Sequence, residues 1–280
     1  MKKLLAIAAI PVACAAIGAA GAADMPVKVP VRTPVPTYAW TGFYVGGELG
    51  GKWADTTWTT ISTSDLPGTI VDASSPRNYR PSGFRGGAYA GYNRQIANWV
   101  LGLEADLAWA DNTVTTAGIP GCAIECFLGA PGPGVDVASV RMGWDASARG
   151  RLGYLMTPDL LIYGTGGVAW QNIETSGTCQ HSVSDPQCTR ASGDPFDTQT
   201  NRRNLTGWTI GGGLEKMYRN WILRGEYRFS RFGNLNGVFP FAAPGPPPGS
   251  DFSRYNLSVD TNIVTVGLAY QLGGPVVAKY

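Results

Sequence analysis

The sequence predicts an all-β chain, an eight-stranded antiparallel up-and-down transmembrane β-barrel, and three observations predict it. Apolar and polar residues alternate with a period of two through eight successive segments. Aromatic residues bracket three of those segments at ten-residue spacing. Short connections alternate with long ones along the chain. Composition agrees: 38 Gly, 11% aromatic and only 15% charged residues in 280 favour strands over helices.

Residues 1–23 carry Lys2 and Lys3, an apolar run over 4–17 and the small residues "AAGAA" before Asp24, the layout of a secretory signal peptide. Residues 24–39 follow, with Pro26, Pro30, Pro34 and Pro36. Proline fixes φ and removes a backbone donor, so this stretch is expected as an extended periplasmic linker. The ordered domain, residues 40–280, is expected to be the barrel. No later segment approaches the roughly 20 consecutive apolar residues of a membrane-spanning helix, so a membrane crossing here would be made by strands.

In 41–53, Phe43, Val45, Leu49 and Trp53 share one face, opposite Tyr44, Glu48 and Lys52. In 83–94, Phe84, Ala88, Ala90 and Tyr92 oppose Arg85, Tyr89 and Asn93. The run "WVLGLEADLAWA" puts Trp99, Leu101, Leu103, Leu107 and Trp109 opposite Glu104 and Asp106. In 142–154, Trp144, Ala146, Ala148, Leu152 and Tyr154 face away from Asp145, Ser147, Arg149 and Arg151. Segments 160–172, 205–216 and 221–230 repeat the pattern, the last two with Glu215, Arg224, Glu226 and Arg228 on the polar face. In 262–272, Val264, Val266, Leu268 and Tyr270 oppose Thr265 and Gln271, and Ile263 interrupts the alternation.

Length distinguishes a membrane barrel from a soluble sandwich. The pairs Phe43 with Trp53, Trp99 with Trp109, and Trp144 with Tyr154 form a candidate aromatic girdle. At about 3.3 Å per residue and a tilt near 40°, ten residues rise roughly 25 Å, the height of the lipid-facing band of an outer-membrane barrel. Short turns ("QIAN", "LMTPD", "MYRN") belong on the periplasmic side and long loops outside, and an even strand number leaves both termini periplasmic.

With the apolar face toward lipid, the other face points inward. It holds Glu48, Glu104, Asp106, Asp145, Glu215 and Glu226 with Lys52, Arg85, Arg149, Arg151, Arg224 and Arg228, six acids against six bases. Eight strands leave an interior that side chains can fill, and unpaired buried charges are costly, so a salt-bridged plug is expected. A small ion-conducting pore is the alternative. Once Lys2 and Lys3 are removed, the basic residues equal the 20 acidic ones, so a nucleic-acid partner, which would need a clustered basic face, has no support and none is expected.

The mature cysteines Cys122, Cys126, Cys179 and Cys188 lie in two expected long loops, 112–139 and 176–203. They are disulfide candidates, the local pairing being the simplest of three. A metal site would have to recruit His181, the single histidine, without the spacing metal ligands show. Neither "GTGGVA" at 164–169 nor "GGGLE" at 211–215 opens a helix, so neither makes a dinucleotide site. His181, Ser182 and Asp185 share one Pro-bounded loop without a second site element, so no enzyme activity, cofactor or metal is expected. Loop aromatics Trp58, Phe127, Phe196 and Phe239 suggest a further alternative, a loop-mediated adhesin.

The stretches "WTGFYVGGELGGKW" (40–53), "GYLMTPDLLIYGTGGVAW" (153–170), "GWTIGGGLEKM" (207–217) and "VTVGLAYQLGGPVVAKY" (264–280) resemble the small outer-membrane β-barrel (porin-family, immunogenic outer-membrane protein) group of alphaproteobacteria. That resemblance implies a barrel similar to the OmpA transmembrane domain. It implies an envelope-integrity role in the outer membrane and no catalytic residues. The expected partners are outer-membrane lipids and lipopolysaccharide, the barrel-assembly machinery, and a host-cell or phage ligand at the loops. The two cysteine pairs and "FAAPGPPPG" at 241–249 depart from the family pattern.

Overall fold

The computed structural model describes residues 38–64, 71–121, 136–180, 196–241 and 251–272. The expected signal peptide, and the linker up to residue 37, lie outside them. Among the described residues no helix is long and apolar enough to cross a membrane. Eleven strands form instead: β1 (Gly42–Ser64), β2 (Arg77–Tyr79), β3 (Ser82–Ile96), β4 (Trp99–Ala110), β5 (Asn112–Ala117), β6 (Val137–Thr157), β7 (Leu160–Gln180), β8 (Phe196–Tyr218), β9 (Trp221–Phe232), β10 (Leu235–Phe241) and β11 (Asp251–Leu272).

Eight of these close a ring in the order β1, β3, β4, β6, β7, β8, β9, β11, each antiparallel to the next. The ring shuts where β11 pairs β1, from Phe43 opposite Leu272 to Thr60 opposite Tyr255. Closure removes both sheet edges, so the ladder groups at mid-height find partners within the barrel. The tight turns at 97–98, 158–159 and 219–220 share one end of the barrel with Thr41 and Leu272.

The other three strands extend the ring at its long-loop end. β2 leads into β3 and pairs β1 at Thr56 to Trp58. β5 continues β4 along β6, and β10 continues β9 along β11. The strands therefore run well past the segment ends read from alternation. Residues 112–117, 137–139, 176–180 and 196–203, expected as loop, are strand.

The reason is an inversion of polarity along each strand. In β1, Phe43, Val45, Leu49 and Trp53 point outward with Glu48 and Lys52 inward; beyond Trp53, Asp55 points outward while Ala54 and Trp58 are buried. The lower half has lipid outside and charge inside. The upper half has a polar exterior and an apolar interior, as a water-soluble barrel does. Trp58 and Phe239, expected on loops, are accordingly fully buried in that upper core.

Two irregularities matter. Between Met142 and Asp145 the β6–β7 register shifts, so Gly143 and Trp144 both stand between two inward-facing positions. At Ile263, by contrast, the β11 register is unbroken. Its side chain is buried, with Lys52 and Arg228 as cross-strand neighbours.

Candidate functional site

The inward-facing charges of the ring meet at mid-height. Glu48 and Lys52 come from β1, Arg85 from β3, Glu104 and Asp106 from β4, and Asp145, Arg149 and Arg151 from β6. Glu215 comes from β8, and Arg224, Glu226 and Arg228 from β9. All are buried. Even spacing in sequence keeps each set on one face of its pleated strand, and ring closure points every set at the axis.

Glu104 is the hub. Its carboxylate accepts from Arg149 Nη2 at 2.6 Å, Arg151 Nη1 at 3.3 Å, Arg224 Nη1 at 3.0 Å and the Tyr44 hydroxyl at 2.7 Å, and also from Arg224 Nη2. Arg151 and Arg224 both hold Glu215 at 2.8 Å. Arg149 donates to Glu226 at 2.6 Å, whose second oxygen accepts from the Tyr163 hydroxyl at 2.8 Å.

A second group lies toward the long loops. Arg85 Nη2 reaches Asp106 and Asp145 at 2.8 Å each, and Nη1 holds Glu48. Arg228 Nη1 donates to Asp106 at 2.7 Å and to Ser147 at 3.1 Å. Lys52 pairs with Asp145 at 2.8 Å and also bonds Gln171. Tyrosine rings cover the guanidiniums: Arg224 lies 4.0 Å from the Tyr89 centroid, and Arg151 lies 4.3 Å from that of Tyr163.

This charged layer sits between two apolar ones. Toward the long loops, Trp58 stacks on Tyr255 at 4.3 Å, and Phe239 on Tyr255 at 4.9 Å, among Val140, Met142, Ile173, Leu205 and Leu257. At the short-turn end, Val100, Leu155, Leu161, Met217 and Ile222 fill the bore. Trp40 lies across that mouth at 1% exposure, its indole donating to Pro158 O at 3.0 Å and its backbone to Gln95 at 3.0 Å. Both seals escape a reading that looks for charge on the inner face, because their residues are ordinary apolar ones in the polar phase.

On the outside, Phe43, Trp53, Trp99, Trp109 and Tyr154 are exposed at the two edges of the apolar band, and Trp144 is half-buried in the β6 bulge. Further aromatics complete the lower edge. Phe43 meets Tyr92 at 4.8 Å, Trp99 meets Tyr154 at 5.1 Å, and Trp221 meets Tyr270 at 5.1 Å. Leu101, Leu103, Leu152, Leu223, Val266 and Leu268 lie exposed in the band between the edges.

Cys122, Cys126 and Cys188 lie outside the described residues, as do His181, Ser182, Asp185 and Phe127. Cys179 stands near the end of β7, opposite Asp197 of β8. Among the described residues no group of His, Cys, Asp and Glu is arranged to hold a metal ion.

A closed eight-stranded ring with a continuous exposed apolar belt suits a membrane-embedded protein, and residues 10–271 match the family described as "Outer membrane protein beta-barrel domain". The chain belongs to that family. This outer-membrane β-barrel is 29% identical over 198 residues to the 31 kDa outer-membrane immunogenic protein of Brucella melitensis, covering 68% of this chain and 66% of that protein. It is 30% identical over 151 residues to the 22 kDa outer membrane protein of Rhizobium leguminosarum bv. viciae, covering 54% of this chain and 53% of that protein. The barrel thus spans slightly less than two thirds of the length of the Brucella relative. Among solved structures, the outer membrane protein OprG of Pseudomonas aeruginosa shares the fold, at TM-score 0.50 and 14% identity over 85% of this chain and 99% of that one. The apolar belt of this outer-membrane barrel therefore faces membrane lipid.

Proposed function

We propose that this outer-membrane barrel is a sealed structural element of the envelope, with neither a conduction path nor a catalytic centre. The observation that carries the reading is the layering of its interior. Ions attracted to the twelve mid-barrel charges would have to pass the Trp58, Phe239 and Tyr255 layer on one side and the Trp40, Leu161 and Met217 layer on the other. A pore would require both of these apolar layers, and the ion-paired layer between them, to open. Buried charges paired this fully bind each other in preference to a substrate.

On this reading the short-turn end and both termini face the periplasm, where residues 24–39 serve as a linker once residues 1–23 are removed. The long loops face outward, with any disulfides among the four mature cysteines forming there. Contacts with lipopolysaccharide and the barrel-assembly machinery follow from the same placement. The polar-walled, apolar-cored upper ring supports it, because it would hold the loops clear of the membrane for a host-cell or phage ligand.

A strain lacking the protein is expected to become sensitive to detergent, and a plasmid copy to restore resistance. Unchanged resistance in the deletion strain would contradict the structural role. In the outer-membrane fraction the folded protein is expected to migrate faster on gels before boiling than after.

A further inference from the structure

The lipid-facing wall is not uniform, and two hollows lie one above the other on β6, β7 and β8. The upper is a cleft of about 820 Å³ at the top edge of the apolar band, bordered by Trp109, Trp144, Arg141, Asn172, Glu174 and Arg202. The β6 bulge at Gly143 and Trp144 lies in its wall. Across it runs a row of alternating charge: Arg141 Nε bonds Asp111 at 2.8 Å, Glu174 lies opposite Arg141 in the ladder, and Arg202 Nε bonds Glu174 at 2.6 Å. Arg141 and Arg202 are exposed.

The lower hollow, about 600 Å³, is cut into the apolar band where Gly150, Gly164 and Gly166 face outward between Leu152 and Ile210. These glycines meet no steric demand. A Cβ on Gly150 or Gly164 would come no nearer than 3.9 Å to any atom beyond the chain neighbours, and one on Gly166 no nearer than 3.8 Å. Gly167 differs, because a Cβ there would lie 2.7 Å from Arg149 Cα. Between cleft and slot β6 presents Ala146 and Ala148, whose ladder partners on β7 are Trp170 and Val168. Eight residues of β7, from Glu174 to Gly166, separate the two levels, roughly 20 Å along the axis at ordinary strand rise and tilt.

We propose that this wall is a seat for one phosphorylated saccharolipid of the outer leaflet, sugar phosphate in the cleft and acyl chain in the glycine slot. The proposal rests on the reading that the long-loop end faces outward. Guanidiniums suit phosphate, the carboxylates and Asn172 suit sugar hydroxyls, and the indoles offer ring faces to a sugar. A glycerophospholipid would bring its phosphate to the same row with few hydroxyls to engage Asp111 and Glu174.

The test uses the full-length protein in detergent, with native mass spectrometry against a diphosphorylated disaccharide lipid and, separately, phosphatidylglycerol. Wild type is expected to retain one disaccharide lipid. An R141A/R202A variant is expected to lose at least tenfold in retention, and so is Gly166→Leu, which fills the slot and keeps the test open should the arginine variant not fold. An R80A/R231A control removes the exposed pairs with Asp55 and Asp260, which lie outside the cleft, and is expected to behave as wild type. Equal loss in the control, no loss in either cleft variant, or equal retention of phosphatidylglycerol would overturn the proposal. Protease added to whole cells tests the orientation separately. Cleavage at the long-loop end supports the outer-leaflet assignment, and protection there would overturn that assignment whatever lipid is retained.

Discussion

Arg224 on β9 and Glu104 on β4 bond at 3.0 Å across the full width of the barrel, from strands four places apart in a ring of eight. Arg228 and Asp106 repeat the span one level up at 2.7 Å. These ties join opposite walls, whereas the ladder joins only neighbours. Glu104 also faces Arg149 and Arg151, so Glu104→Ala would leave three buried guanidiniums short of a counter-charge. Loss of one partner from a buried ion network costs about 3–5 kcal/mol. Urea titration of the protein in lipid, followed by the heat-dependent gel shift, is expected to show a loss of that size, with Glu104→Gln milder.

The β1–β11 closure depends on close backbone approach. A Cβ on Gly50 would lie 2.8 Å from Thr265 Cα and closer still to Val264 O, while one on Gly225 meets nothing within 4 Å. Gly50→Ala is therefore expected to destabilise the barrel by about 1–3 kcal/mol, the usual cost of overpacking, and Gly225→Ala to leave it unchanged. The same urea titration reads both. Equal effects would mean that the seam tolerates more room than its geometry shows.

The upper core makes a separate prediction. Trp58 is fully buried against Tyr255, Phe239 and Tyr79, so Trp58→Ala removes the centre of the long-loop seal. Cavities of this kind cost about 3–5 kcal/mol. Limited proteolysis is expected to cut the variant's long-loop end faster while the membrane-embedded ring keeps its gel shift, because the ion network below is untouched.

At the opposite end, the Asp159 carboxyl in the β6–β7 turn is held below the ordinary aspartate range, first by its hydrogen bond from Lys216 and then by that from Thr157. Its contribution to turn stability is present above the ordinary aspartate pKa and is lost as pH falls through the depressed folded value. Lys216→Ala is expected to raise the Asp159 titration midpoint toward the ordinary range, as read by carboxyl carbon NMR. An unmoved midpoint would assign the shift to Thr157.

Period-two alternation reveals the membrane crossings because lipid outside and charge inside give the two phases opposite polarity in every strand. That contrast placed Glu104, Asp106, Arg149 and Arg224 on one face, the face that is buried here. It fails above Trp53 and Trp109, where the phases exchange character: Asp55 now faces out and Trp58 in, so a continuing strand resembles a loop. The ties from β9 to β4 were beyond reach for another reason. Alternation assigns a side chain to a face, whereas partner choice depends on shear and register, which follow from closure of the whole ring. The sequence marks Trp40 only as the start of the ordered domain, and nothing in its local sequence shows that it turns under the barrel to meet Pro158.

The central claim is that the charged layer is sealed on both sides. Its most direct test is single-channel recording of the purified protein in planar bilayers, for wild type and for a variant that opens the long-loop layer alone, Trp58→Ala. The expected result is no discrete conductance from either, since the ion network and the Trp40 layer remain in place. Steps of uniform size from wild-type protein, persisting at high purity, would contradict the sealed lumen.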